Sequence, residues 1–215
     1  MRVLGLDPSL TNYGWAYVEC DGEGYECIGR GRWKTSSREV FIDRYVTLRE
    51  KVTNKLDQSR PEVCGIEYPI FHDTYSEGMY GLFLYSCEAL RARNIDVVFL
   101  ANNQAKAYGK RVLSRPSGWK MSKADMIEAA KVLSSEKGRW TSDEADAYVI
   151  AVLTARFWMF RKGELIKSDL TTYERRMFLG NPRKKKSVLM QKKSGLLNRQ
   201  GERFYLWSRK NPQEI

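Results

Sequence analysis

The chain has 215 residues, of which 42% are hydrophobic and 29% charged, proportions typical of a soluble globular domain with room for an appendage. The sequence contains no run of about 18 apolar residues, so we expect no membrane-spanning helix and no membrane partner. Its four cysteines are widely spread without a CxxC pair, which favours reduced thiols over a zinc site or disulfide framework. A strand begins directly after the N-terminus, so we expect no signal peptide.

The net charge of +11 is concentrated in the last quarter of the chain. Residues 161–215 contain 15 Lys and Arg against 5 Asp and Glu, whereas residues 1–160 contain 22 against 21. A concentrated positive segment attracts polyanions and releases their counterions; a solvated tail that aids solubility is the alternative. We predict nucleic-acid binding by this segment, with the candidate residues Arg183, Lys184, Lys185, Lys186, Lys192 and Lys193.

The first predicted strand is an apolar run at residues 3–6 that ends at Asp7, where Pro8 turns the chain away from the strand. Residues 13–20 and 25–33 are predicted to be two further strands, which completes an antiparallel meander. A carboxylate at the end of a central strand is costly to bury without a partner, so Asp7 is a candidate functional residue. Capping of the following turn is the alternative.

Beyond the meander, predicted strands and helices alternate. The strands are residues 63–67 and 96–100, and the helices are residues 38–58, 76–93, 103–113, 122–136 and 142–160. This order predicts an α/β domain at residues 1–160, built on a five-stranded mixed sheet flanked by helices. Residues 161–215, where periodicity fades, are predicted to be a basic C-terminal DNA-binding extension with a small hairpin at residues 194–207.

Acidic residues end two of the strands and open the last helix. Asp7 and Glu67 each end an apolar strand, so their carboxylates can project from the same edge of one sheet. The last helix begins with a Thr-Ser-Asp-Glu capping box, which places Asp143 and Asp146 in its first turns on one face. Because the helix then becomes apolar, it must pack on the sheet and bring its polar start alongside the strand ends.

Four carboxylates from three distant segments, without a nearby histidine or cysteine, suit Mg²⁺, with Mn²⁺ as a substitute. Two such ions about 4 Å apart can activate a water and stabilise the leaving oxygen of a phosphoryl displacement. The pattern therefore predicts that Asp7, Glu67, Asp143 and Asp146 are catalytic metal ligands. For Asp143 and Glu144, simple attraction to the positive helix N-terminus is the alternative, and Glu144 could replace Asp143 as a ligand.

Four blocks of sequence carry a family resemblance. They are residues 5–15 (GLDPSLTNYGW), 65–67 (GIE), 121–126 (MSKADM) and 143–151 (DEADAYVIA). In order and spacing they resemble the RuvC-type Holliday-junction resolvases of the ribonuclease H-like superfamily. The resemblance covers residues 1 to about 158 and implies the ribonuclease H-like fold with the same four acids as the metal-binding tetrad. The basic extension departs from the family pattern and indicates a divergent member.

This resemblance implies a metal-dependent endonuclease that resolves four-way and other branched DNA junctions by paired nicks, with two Mg²⁺ ions in each site. Lys123, which opens a helix, resembles the family's basic residue near the scissile phosphate, and Lys106 or Lys110 is a candidate for a second one. Tyr68 or Phe71 could stack on bases at the branch point, although ordinary core packing is the alternative for each ring.

A four-way junction has near two-fold symmetry, so paired nicks indicate a homodimer. The helix at residues 76–93 has an apolar stripe that could meet its two-fold mate: Met79, Leu82, Phe83 and Leu90. Two other functions stay open, namely a ribonuclease H-like nuclease for another nucleic-acid structure and an ATP-binding module of the actin or sugar-kinase type. The second expects Gly-rich phosphate loops, which the sequence lacks. We expect a cytoplasmic location in a bacterial or phage-infected cell.

Overall fold

The computed structural model of the chain describes residues 1–21, 24–69, 77–179 and 205–207. Its strands are β1 (Arg2–Asp7), β2 (Asn12–Cys20), β3 (Tyr25–Lys34), β4 (Val63–Tyr68), β5 (Asp96–Ala101) and β6 (Tyr205–Trp207). Its helices are α1 (Phe41–Ser59), α2 (Glu77–Ala92), α3 (Asn102–Val112), α4 (Lys123–Ser134), α5 (Ser142–Lys162) and α6 (Thr172–Phe178). Within these described ranges, none of the helices combines the length and apolarity that a bilayer crossing requires.

The described strands form one mixed sheet in the order β3-β2-β1-β4-β5-β6. Strands β1, β4 and β5 are parallel, whereas β2, β3 and β6 each pair antiparallel with a neighbour. The predicted mixed sheet of five strands with flanking helices is therefore confirmed, and β6 is an addition that pairs with residues 97–99 of β5. The remainder of the hairpin predicted at residues 194–207 lies outside the described residues.

Helix α5 packs across the centre of one sheet face, while α1 and α2 cover the other face. Two glycines allow this close approach. A side chain at Gly5 would overlap the backbone oxygen of Ala147, and a side chain at Gly65 would overlap the hydroxyl of Thr154. Because α5 lies so close to β1 and β4, its first turn comes beside the ends of these two strands.

Helix α6 was missed by the sequence prediction, although it begins with the same signal as α5. The Thr171 hydroxyl accepts a hydrogen bond from the Glu174 N–H at 3.2 Å, which is the capping box of a Thr-x-x-Glu pattern. Glu174 is fully buried and pairs with Arg156 of α5. Phe178 packs on Phe157 with ring centroids 5.3 Å apart. Residues of α6 thus belong to the same core cluster as α5, and the boundary at residues 160/161 stays a prediction.

Candidate active site

The register of the sheet brings Asp7 and Glu67 to one edge. Gly5 lies opposite Gly65, and Leu6 lies opposite Ile66, in the parallel pair of β1 and β4. Asp7 and Glu67 are each the next residue along, so their side chains leave the sheet on the same side, on strands roughly 4.8 Å apart. The expectation that two strand ends bring these carboxylates together is met by the backbone alone.

The first turn of α5 adds Asp143 and Asp146 to this edge. A side chain at Gly14, which pairs with Asp7, would overlap the backbone oxygen of Asp143, so the helix start lies directly over the strand ends. The Glu144 carboxylate is occupied elsewhere, because it accepts a hydrogen bond from the Thr141 N–H at 2.8 Å. Of the two acids that sequence reasoning left open, Asp143 is therefore the one available to the cluster.

Burial and mutual repulsion raise the pKa values of three acids in this cluster, Asp7, Glu67 and Asp146. Burial raises the pKa of Asp7 well above its ordinary value, and the negative charges of Glu67, Asp146 and Asp143 raise it further. Burial, followed by the charge of Asp146, raises the pKa of Glu67 to about 7. Burial is also the main cause that raises the pKa of Asp146 to about 6. These carboxyl groups are close enough to oppose one another's ionisation.

The donor atoms fit a hard divalent cation. Oδ1 of Asp146 is buried and has no hydrogen-bond partner among the described residues, which is a costly arrangement for a carboxylate unless something else compensates its charge. All four side chains offer carboxylate oxygens, the ligands that Mg²⁺ prefers. Among the described residues, no three acids already enclose an ion-sized space, and because like charges repel, a cation would be needed to draw them together.

Two of the three candidate lysines lie at the acidic cluster. The positive charge of Lys106, on α3, opposes the burial-driven rise in the pKa of Asp7, of Glu67 and of Asp146. Lys123 is the first residue of α4, and its positive charge also opposes the rise in the pKa of Asp146. Lys110 is directed elsewhere, since its Nζ donates to the backbone oxygen of Ser117 at 2.8 Å. Lys106 is thus the better match for the second basic residue.

Of the aromatic and tail candidates, Tyr68 is the one that lies within the described residues, and it packs in the core rather than at this cluster. The Tyr68 ring packs against Phe83 and Phe99, with centroids 5.1 and 6.3 Å away, as part of the core beneath α2. Phe71 lies outside the described residues, and so do the basic candidates Arg183, Lys184, Lys185, Lys186, Lys192 and Lys193.

Sequence reasoning missed Arg32. Its Nη1 lies 3.4 Å from Oδ2 of Asp143 and donates a hydrogen bond to it. Basic residues alternate along β3 at Arg30, Arg32 and Lys34, and this period of two placed three cations on one face of the sheet. That pattern was the available signal, but only the crossing of α5 over β2 shows which of the three meets an acid of the cluster, since Arg30 pairs instead with Glu136.

A ribonuclease H-like sheet with carboxylates at two central strand ends and at the start of the crossing helix is the arrangement of a metal-dependent nuclease. No family model matches the chain. The chain is 29% identical over 154 residues to the crossover junction endodeoxyribonuclease RuvC of Caulobacter vibrioides, an alignment that covers 72% of this chain and 89% of that protein. It is 30% identical over 155 residues to RuvC of Saccharopolyspora erythraea, covering 71% of this chain and 75% of that protein.

Solved structures agree with these sequence relatives. The structure of Thermus thermophilus RuvC superposes with a TM-score of 0.62 at 22% identity, covering 76% of this chain and 97% of that one. The structure of the same protein in complex with a Holliday junction substrate superposes with a TM-score of 0.64 at 21% identity, covering 75% of this chain and 96% of that one. The chain belongs to the RuvC family of crossover junction endodeoxyribonucleases. The predicted family, fold and enzyme class, a junction-resolving nuclease, are confirmed, and the ATP-binding alternative does not fit them.

Proposed function

We propose that the chain resolves four-way DNA junctions by paired nicks, as a homodimer whose two sites each use Mg²⁺ held by Asp7, Glu67, Asp143 and Asp146. The observation that carries this proposal is the convergence of four acids from β1, β4 and α5, one of them with a buried oxygen that has no hydrogen-bond partner among the described residues. Such a cluster is costly to fold unless a cation compensates its charge.

The donor set supports two Mg²⁺ ions per site, with Mn²⁺ as a substitute. When bound, the metal supplies Lewis-acid stabilisation of the phosphate and lowers the pKa of a water, so that the water attacks at neutral pH. The carboxylates of Asp7 and Glu67 hold this centre at the rigid strand ends. Asp143 and Asp146 approach it from the first turn of α5, so a scissile phosphate would be held between strand ends and helix.

The two lysines provide positive charge on the side of the site formed by α3 and α4. Lys106 lies near three of the acids, where it partly offsets their repulsion before any phosphate arrives. Lys123 adds its charge at the N-terminus of α4, the positive end of that helix. We assign to Lys123 the stabilisation of charge that builds up on the phosphate oxygens during cleavage.

The exposed face of α2 supports the homodimer. Three of the four residues in the predicted stripe cannot form a dimer interface, because Leu82, Phe83 and Leu90 are buried in the protein's own core. The large apolar side chains that remain exposed on α2 and on the adjoining first turns of α1 are Tyr80, Leu84, Tyr85, Phe41, Ile42 and Val46. A self-complementary patch of this kind would place two active sites about a two-fold axis, as two symmetric nicks require.

DNA would be held mainly by charge outside the acidic cluster. The basic extension is proposed to contact phosphates through its Lys and Arg runs at residues 183–186 and 192–193. Phe71 is proposed to stack on bases at the branch point. For Tyr68, the packing of its ring against Phe83 favours a role in the core.

Cleavage of matched labelled substrates tests the proposal. A synthetic four-way junction, a linear duplex of the same arms and an RNA–DNA hybrid are incubated with the full chain in Mg²⁺ and in EDTA. We expect paired symmetric nicks in the junction with Mg²⁺ and none with EDTA. Preferential cutting of the hybrid or of the linear duplex would instead support the alternative ribonuclease H-like nuclease.

A further inference from the structure

The ion pair between Arg32 and Asp143 joins the edge strand β3 to the acidic cluster. Nη1 of Arg32 and Oδ2 of Asp143 are 3.4 Å apart, and their side chains are 32% and 21% exposed. An isolated ion pair at such exposure contributes little to stability, because solvent screens it. Its place at the site is therefore of more interest than its strength.

Strand register puts Arg32 in the same cross-strand row as the acids. Arg32 pairs with Gly14 across β3 and β2, and Gly14 pairs with Asp7 across β2 and β1. Paired residues leave a sheet on the same side, so Arg32 projects toward α5 about 10 Å from Asp7, two strand spacings away. The glycine between them leaves room for the backbone of Asp143. The guanidinium thus reaches Asp143 from the flank opposite to Asp7.

We propose that Arg32 is a positioning residue that holds one oxygen of Asp143 and thereby presents the carboxylate in the orientation that binds the metal ion. This inference rests on the proposed function, since it assumes that Asp143 is a metal ligand. Asp143 lies in the first turn of a helix with its side chain 21% exposed, so a contact with Arg32 can fix the orientation of its carboxylate. Outer contacts that orient a ligand typically change metal affinity by about 10–100-fold.

A simpler role for Arg32 makes the opposite prediction. If its guanidinium only neutralised part of the acidic charge, its removal would leave the site more negative and would strengthen cation binding. Lys34 provides the matched control, since it lies two residues further along the same face of β3 and is exposed. Removing Lys34 takes away the same unit of charge without touching Asp143.

The experiment measures Mn²⁺ binding to the full chain without DNA by calorimetric titration. It compares wild type, Arg32→Met, Arg32→Lys and Lys34→Met, with Asp7→Asn to identify the heat that comes from the carboxylate site. Melting curves in EDTA establish that each variant is folded. We expect Arg32→Met to weaken Mn²⁺ binding about tenfold or more, Arg32→Lys to recover most of the affinity, and Lys34→Met to leave it unchanged or slightly tighter.

The outcomes separate this inference from the proposed function. Unchanged or tighter Mn²⁺ binding by a folded Arg32→Met variant would overturn the positioning role while leaving the metal site in place. Equal weakening by Arg32→Met and Lys34→Met would also overturn it, because a general charge effect would then suffice. If wild type and Asp7→Asn give the same isotherm, the carboxylates do not bind the metal and both proposals fail.

Discussion

The acidic cluster should make the metal-free protein less stable as the pH rises, and Glu67→Gln should relieve that cost. Burial raises the pKa of Glu67 from its ordinary 4.5 to about 7 in the folded state. Between these two values the unfolded chain releases this proton while the folded chain retains it, so the free energy of unfolding falls with rising pH. Below pH 4.5 the group is protonated in both states and imposes no such cost.

The size of this effect follows from the two pKa values. A shift from 4.5 to about 7 corresponds to roughly 3 kcal/mol at pH 8, as an upper figure because the acids titrate together. Glutamine carries no charge at any of these pH values, so Glu67→Gln should regain much of this lost free energy of unfolding. For a domain of this size, that gain corresponds to about 6–12 °C in melting temperature.

Thermal melting in EDTA at pH 5 and pH 8 measures the effect directly. Wild type is compared with Glu67→Gln and with Glu50→Gln, a control on the exposed face of α1. We expect Glu67→Gln to be more stable than wild type, by more at pH 8 than at pH 5, and the control to change neither melting temperature. Mg²⁺ should reverse the order, because it stabilises only a chain that binds it. An equal gain at both pH values, or none at pH 8, would refute the reasoning.

Three further changes test other parts of the account. Lys123→Ala should lower the single-turnover rate of junction cleavage about 100-fold with little loss in filter-binding affinity; equal losses would indicate a simple phosphate contact. Truncation after Leu179 removes ten Lys and Arg and two Asp and Glu; it should weaken duplex and junction binding alike and flatten the salt dependence by roughly 0.9 in slope for each lost phosphate contact, so an unchanged slope would contradict a DNA-binding tail. Leu84→Glu should shift the sedimentation of micromolar protein from dimer to monomer, and a dimer that persists would exclude this face of α2 as the interface.

The truncation is placed after Leu179 because residues beyond Lys162 pack in the same core cluster as α5. Sequence reasoning assigned everything beyond residue 160 to the basic extension. Leu170 and Phe178 are nevertheless buried in the α5 core, so a cut after Lys162 would expose α5 and leave a large cavity. The Thr-x-x-Glu pattern that starts α6 is visible in the sequence, but it lies within the basic segment and was therefore not interpreted as a helix start.

The parts of the site that could be predicted depend on local signals. Asp7 and Glu67 each end an apolar run, and the capping box at Thr141 marks the start of α5, so three short stretches were sufficient to locate the acids. Their convergence followed from simple sheet topology. Such signals are local because a strand end or a helix cap is specified by residues close in sequence.

The other contacts of the site depend on how helices and strands that are distant in sequence pack against one another. The choice of Lys106 over Lys110 depends on which side of α3 faces the strand ends, and both lysines have the same local sequence character. The pairing of Arg32 with Asp143 joins residues that are 111 positions apart. It arises only because α5 passes over Gly14, a contact that neither segment indicates by itself.

Cleavage and binding by Asp7→Asn test the central claim most directly. Asp21→Asn, at an exposed acid just after β2 and at the opposite end of the sheet from Asp7, removes the same charge and serves as the control. With Mg²⁺ and a labelled four-way junction, we expect Asp7→Asn to abolish cutting and to retain or increase junction affinity, since a negative charge beside DNA is lost. Asp21→Asn should cut like wild type. Near-wild-type cutting by a folded Asp7→Asn variant would contradict the assignment of these acids as the catalytic metal site.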